Sequence, residues 1–163
     1  MARTFRILIV FAVISFVFFP ASGFAAKAVD PCALLTQAEI QAVLGETVKP
    51  GTAKIQANPQ AGVDCTYVVG DFGSFNVVVK PQQTGETPEK VKAMFVKMKM
   101  KPVDMPNVGD SSFFTSPGFG MTQLQTFKGS RYILFTLLVP GLKEPAQQAA
   151  AAKLMRTLLS RIK

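Results

Sequence analysis

The stretch Asp30 to Gly45, DPCALLTQAEIQAVLG, constrains the fold more tightly than any other part of the 163-residue chain. Thr36 followed by Glu39 is a T-x-x-E capping box: the threonine hydroxyl accepts from the N–H of residue 39, and the glutamate reaches back to the N–H of Thr36. Leu35 before the cap and Ile40 after it are spaced as a hydrophobic staple. Gly45 supplies the left-handed residue that ends many helices. Asp30-Pro31 favours an extended entry, because a residue ahead of proline avoids helix. The spacing predicts a short helix whose apolar side, Leu35, Ile40, Val43 and Leu44, must pack on another element.

What precedes this stretch reads as an export signal over residues 1–26. Arg3 and Arg6 open it, Ile7 to Phe19 carries no charge, and small residues follow Pro20, with Gly23-Phe24-Ala25 as the expected cleavage triplet. The uncharged run is shorter than the ~20 residues a spanning helix needs, so no transmembrane segment is expected in the mature chain. Residues 27–163 then form one exported domain, periplasmic or secreted. Without Arg3 and Arg6, 16 basic residues face 10 acidic ones, leaving a basic protein. In an oxidising compartment the only two cysteines, Cys32 and Cys65, are expected to form a structural disulfide. A redox pair is the alternative, although such pairs usually sit two residues apart.

Along the rest of the chain, Glu46 to Gly62 is loop-like, with a short extended piece near Lys54-Ile55. Cys65 to Val69 and Ser74 to Lys80 read as a hairpin, and Ser111 to Thr115, Met121 to Phe127 and Tyr132 to Val139 as three further strands. Ser116-Pro117-Gly118 reads as a turn between two of them. Pro88 to Lys99 is predicted as a helix capped by Thr87, with Val91, Met94, Phe95 and Met98 as its core-facing stripe. A last helix starts at Pro145 with Leu154, Leu158 and Ile162 in one row. The expected fold is α+β, a single antiparallel sheet of about five strands in the order α-β-β-α-β-β-β-α, with helices mainly on one face.

The opening D-P-C-x-L-L-T-x-x-E resembles a broad group of exported bacterial domains of unknown function, many of them lipoproteins. Cys65-Thr66-Tyr67, Val108-Gly109-Asp110-Ser111-Ser112-Phe113 and Lys128-Gly129-Ser130-Arg131-Tyr132 fit the same pattern. Similar small α+β modules serve as extracellular sensor domains of receptor kinases. The resemblance implies an envelope compartment and this fold class, and it brings no catalytic residues. Here Cys32 follows Val29-Asp30-Pro31 in place of a small-residue lipobox, so no lipid anchor is implied.

The chain has no histidine, which removes His-dependent triads and the commonest general base and metal ligand. Gly109-Asp110-Ser111-Ser112 matches a G-D-S esterase motif, but those enzymes need a histidine base; the simpler reading is a turn in which Asp110 accepts backbone N–H groups. Asp64 and Asp71 are candidates for a carboxylate pair, although Asp71 falls in a hairpin turn. No enzyme and no cofactor are expected, and a His-independent enzyme is the last alternative. Met94, Met98, Met100 and Met105 crowd one region, and soft thioethers can hold Cu(I), so a copper-handling role through Met94 and Met98 is the first alternative. The favoured function is non-catalytic binding, as an accessory or sensor-like envelope module. At 100° per residue Lys90, Lys97 and Lys101 share one arc beside the apolar stripe, a pattern suited to an envelope protein, lipid or polyanion, although the simpler reading is the solvated face of an ordinary amphipathic helix with lysine stems over the core edge. Nucleic acid is not an expected partner. Phe72, Phe75, Phe113, Phe114 and Phe119 lie near turns, where exposure would make an apolar patch.

Overall fold

The computed structural model describes residues 29–56 and 58–162; the expected export signal over 1–26 lies outside them. The first helix forms as its caps require. Pro31–Ala33 is one 3-10 turn, and α1 spans Gln37–Leu44. The Thr36 hydroxyl accepts from the Glu39 N–H at 3.3 Å, and the Glu39 carboxylate accepts from the Thr36 N–H at 2.9 Å. Gly45 ends the helix at φ 73°, where a side chain would be strained.

The strands are β1 (Thr52–Ile55), β2 (Val63–Val69), β3 (Gly73–Pro81), β4 (Val103–Asp104), β5 (Ser111–Gly118), β6 (Met121–Lys128) and β7 (Arg131–Leu138). The other helices are α2 (Pro88–Lys97) and α3 (Glu144–Leu159). All strands join one antiparallel sheet in the order β1-β2-β3-β7-β6-β5-β4. The α+β class and the single antiparallel sheet are therefore present, but the sheet has seven strands where about five were expected, and the element order changes accordingly. The two additional strands are the edges. β1 is exposed at every position and β4 has two residues, so neither carries the alternation that marks a half-buried strand. Their backbone is set by the neighbour they pair with.

A second correction concerns the expected turn at Ser116-Pro117-Gly118. β5 continues through it by a register shift between Thr115 and Gly118, and the chain reverses instead at Phe119 and Gly120. Proline is tolerated at such an irregularity because no ladder N–H is needed there.

Helices cover both faces of the sheet. On one face, Ile40 and Leu44 of α1 and Ala151, Leu154, Met155 and Leu158 of α3 join Phe75, Val77, Ile133, Phe135 and Leu137 in the main core. On the other, Val91 and Phe95 of α2 pack with Phe113, Phe127 and Tyr132. The expectation of helices mainly on one face thus holds for α1 and α3 and fails for α2, because three aromatic side chains on β5, β6 and β7 point away from the main core. Among the described residues, no helix is long and apolar enough to cross a membrane.

Two ties hold the first helix to the sheet and to the chain's end. Cys32 and Cys65 form a disulfide with Cα atoms 5.3 Å apart, and beside it the buried Tyr67 hydroxyl donates to the Leu35 carbonyl at 2.8 Å. Burial pushes the Tyr67 phenol up to about 12, with Asp30 and Glu39 adding to the effect. The Arg161 guanidinium donates to the Leu34 carbonyl at 2.6 Å and to the Glu39 carboxylate at 2.9 Å.

Replacing Cys32 and Cys65 with serine opens a loop closed over a separation of 33 residues. The chain-entropy relation gives an expected loss of about 3–4 kcal/mol, read from urea denaturation with and without reductant. Glu39 should shape acid stability. The Arg161 guanidinium, then the Thr36 N–H, hold its carboxyl at about 2 against an ordinary 4.5. A carboxyl depressed on folding stabilises the protein above its unfolded value, and that stabilisation disappears as pH falls from 4.5 toward 2. Glu39→Gln should therefore make the fall in melting temperature across that window shallower.

Candidate functional site

The site is a groove of about 470 Å³ between the first turns of α2 and the outer sheet face, roofed by the loop from Gln83 to Glu86. Thr87 starts α2: its hydroxyl accepts from the Lys90 N–H at 3.3 Å, and Pro88 takes the first helical position, where no N–H is needed. Glu86 organises the roof. Its carboxylate accepts from the Gln83 N–H at 3.0 Å and from Lys80 Nζ at 2.7 Å. Lys80 in turn lies 4.7 Å from the centre of the Tyr132 ring, which forms the floor. The Tyr132 hydroxyl donates to Gln125 Oε1, and burial, then Glu86, raises its pKa well above the ordinary phenol value. Lys80, Glu86 and Tyr132 are thus engaged with partners inside the protein.

Lys90 is different. Its ammonium lies 3.4 Å from where a methyl on Gly85 would sit, at the mouth of the groove, and it forms no ion pair among the described residues. Lys97, two turns further along α2, is likewise exposed and unpaired. Met94 stands between them on the same flank, lines the groove and is 49% exposed; Met98 at the helix C-cap has the same exposure. On the opposite flank Lys92 pairs with Asp104 and lies 5.5 Å from the centre of the Phe113 ring.

These positions correct three expectations. Met94 and Met98 were placed in the core with Val91 and Phe95, yet only Val91 and Phe95 are buried. A short helix resting on three aromatic rings covers a narrow stripe, and the next positions round the cylinder remain outside it. Lys101 leaves the arc of Lys90 and Lys97, because α2 ends at Lys97 and Lys99 takes φ 62°, turning the chain away. The methionine group also divides: Met100 packs with the α2 core, whereas Met105 packs with the main core across the sheet.

The remaining candidates separate as well. Asp64 lies near the start of β2 and Asp71 beyond its end, so they form no pair. In Gly109-Asp110-Ser111-Ser112, the Asp110 carboxylate accepts from Lys128 Nζ and from the Gly129 N–H, both at 2.7 Å, fastening the β6–β7 turn. Ser112 is buried and donates to the Val108 carbonyl at 2.6 Å. Gly109 has φ 63°, and a side chain there would meet the Phe127 carbonyl oxygen at 2.6 Å, so its glycine answers a packing need. Of the five phenylalanines near turns, Phe75, Phe113 and Phe114 are core, while Phe72 and Phe119 stand exposed on two hairpin tips.

Lys80, Glu86 and Tyr132 were not among the residues singled out by sequence. Alternation along β3 does place Lys80 on the face opposite Val77 and Val79, but nothing local brings Tyr132, 52 positions on, under it; that comes from their register pairing. No family model, curated protein or solved structure matches the chain. What the arrangement offers chemically is two unpaired cations beside exposed thioethers, next to a groove with an aromatic floor.

Proposed function

We propose that the protein is a non-catalytic binding module of the cell envelope, exported after cleavage near residue 26, that recognises an anionic partner through α2. The observation that carries this reading is the flank Lys90-Met94-Lys97, where unpaired lysines alternate with an apolar side chain that the fold leaves half in solvent. Lysines solvated merely to keep a helix soluble need no exposed methionine between them, whereas an anionic surface with apolar content uses both. The non-catalytic part rests on the groove's own groups. Lys80 neutralises Glu86, and the Tyr132 phenol stays protonated and engaged with Gln125, which leaves no evident base and nucleophile within reach of one another. Membership of the exported group that opens D-P-C-x-L-L-T-x-x-E is part of the proposal, as is a sensor-like or accessory role.

Polyphosphate is the simplest probe. The protein should bind it at low ionic strength and release it as salt shortens the screening length to about 8 Å at physiological ionic strength. Lys90→Gln with Lys97→Gln should weaken binding by about 1 kcal/mol, since exposed pairs contribute little each. Salt-independent binding, or none, would count against the reading.

Copper handling is favoured as the second reading by one observation: Met94 and Met98, one helical turn apart, are both accessible. Anaerobic Cu(I) should then raise the melting temperature, and the rise should continue with the logarithm of free Cu(I) above its Kd. Met94→Leu with Met98→Leu should abolish that rise while leaving the metal-free melting temperature within about 0.5 kcal/mol of stability, as expected for surface substitutions.

A further inference from the structure

We infer that the anionic partner is a lipid bilayer surface, with the Lys90-Met94-Lys97 flank of α2 lying on the headgroups and Met94 and Met98 entering among them. The inference rests on the function proposed above and adds the class of partner. Exposed large apolar side chains are unevenly distributed over the protein: Met94, Val96, Met98 and Val103 fall within one short segment, and the other four are scattered over β1, β2 and two hairpin tips. Residues 90–103 carry five lysines, of which Lys92 alone is ion-paired among the described residues. Lys90, Lys97, Lys99 and Lys101 form no ion pair among the described residues, and they outnumber the exposed acidic neighbours Glu89 and Asp104.

Geometry separates a surface from a point ligand. Lys90 and Lys97 are seven residues apart, about 10 Å along the helix axis. A lone phosphate suits one of them, whereas a plane of repeating phosphates suits both at once. A soluble polyanion would supply that charge repeat, but it offers nothing for half-exposed methionines to enter. An anionic bilayer supplies charge at the headgroups and apolar depth behind them, which is the complement of a helix with lysines beside apolar side chains.

The chain contains no tryptophan, so single-tryptophan variants report burial site by site. The chain as its producing cell processes it, carrying Met94→Trp, is titrated with phosphatidylcholine vesicles with and without phosphatidylglycerol. A parallel variant carries Phe72→Trp on the exposed β2–β3 tip. Expected is a blue shift for Met94→Trp with the anionic vesicles only, and none for Phe72→Trp. Adding Lys90→Gln and Lys97→Gln should lower partitioning about 30-fold, roughly fivefold for each lysine near an anionic surface. A shift at residue 72 without one at residue 94 overturns the inference in favour of docking by the aromatic tips. Binding of polyphosphate with no response to vesicles overturns it too, while leaving the function reading intact. Failure to bind either probe at low salt removes both.

Discussion

Ile133, Phe135 and Leu137 point to one face of the sheet, while Tyr132 and Leu134 point to the other, so β7 needs apolar cover on both sides. This central strand is flanked by β3 and β6, and its two-sided apolar character decides where every helix goes. The larger side takes α3, the longest helix, together with α1; the smaller takes the ten-residue α2. The disulfide and the Tyr67 hydrogen bond then fasten the α1 end to β2, and Arg161 closes the chain's last turn back onto α1. These ties act on a layer arrangement that β7 has already dictated.

Legibility in sequence follows the range of the forces. The capping box, the staple and the glycine stop of α1 are all settled within a few residues, and each is where the pattern places it. The five interior strands carry alternation or β-branched runs and could be read directly. Lys54-Ile55 reads as a short extended piece and does lie in β1, but its place in the sheet, like the whole of β4, comes from the ladder that β2 and β5 offer, which is information that Thr52–Ile55 and Val103–Asp104 do not contain. The end of α2 escaped for a related reason: the left-handed residue that turns the chain is Lys99, not the glycine that usually announces such a stop. Extending the helix past it is what placed Lys101 beside Lys90 and Lys97.

The candidate site divides along the same line. Lys90, Met94 and Lys97 stand on one flank by helical spacing alone and were legible. The floor and the roof were not, because Tyr132 reaches Lys80 through strand pairing and Glu86 reaches Lys80 through the fold of the loop. Periodicity also overestimated burial at Met94. A stripe at i, i+3, i+4 and i+7 says which side chains share a face, and the width of the covered part depends on what the helix rests on.

That width is set by the sheet. Across its outer face one register row runs Thr66, Asn76, Thr136, Gln123 and Thr115, with Asn76 donating to Thr66 at 2.8 Å. Gln123 likewise donates to Thr136 at 3.4 Å, so this row is polar and partly bonded within itself. The aromatic rings that do need cover, Phe113, Phe127 and Tyr132, lie toward the β6–β7 turn, and α2 sits over them there. Its Lys92 flank meets Asp104 and Phe113, whereas its Met94 flank borders the groove floored by Tyr132 and roofed by the Gln83–Glu86 loop, and Met94 stays 49% exposed there. Val91 and Phe95 suffice to cover those three rings, so Met94 falls at the edge of the covered stripe, between Lys90 and Lys97.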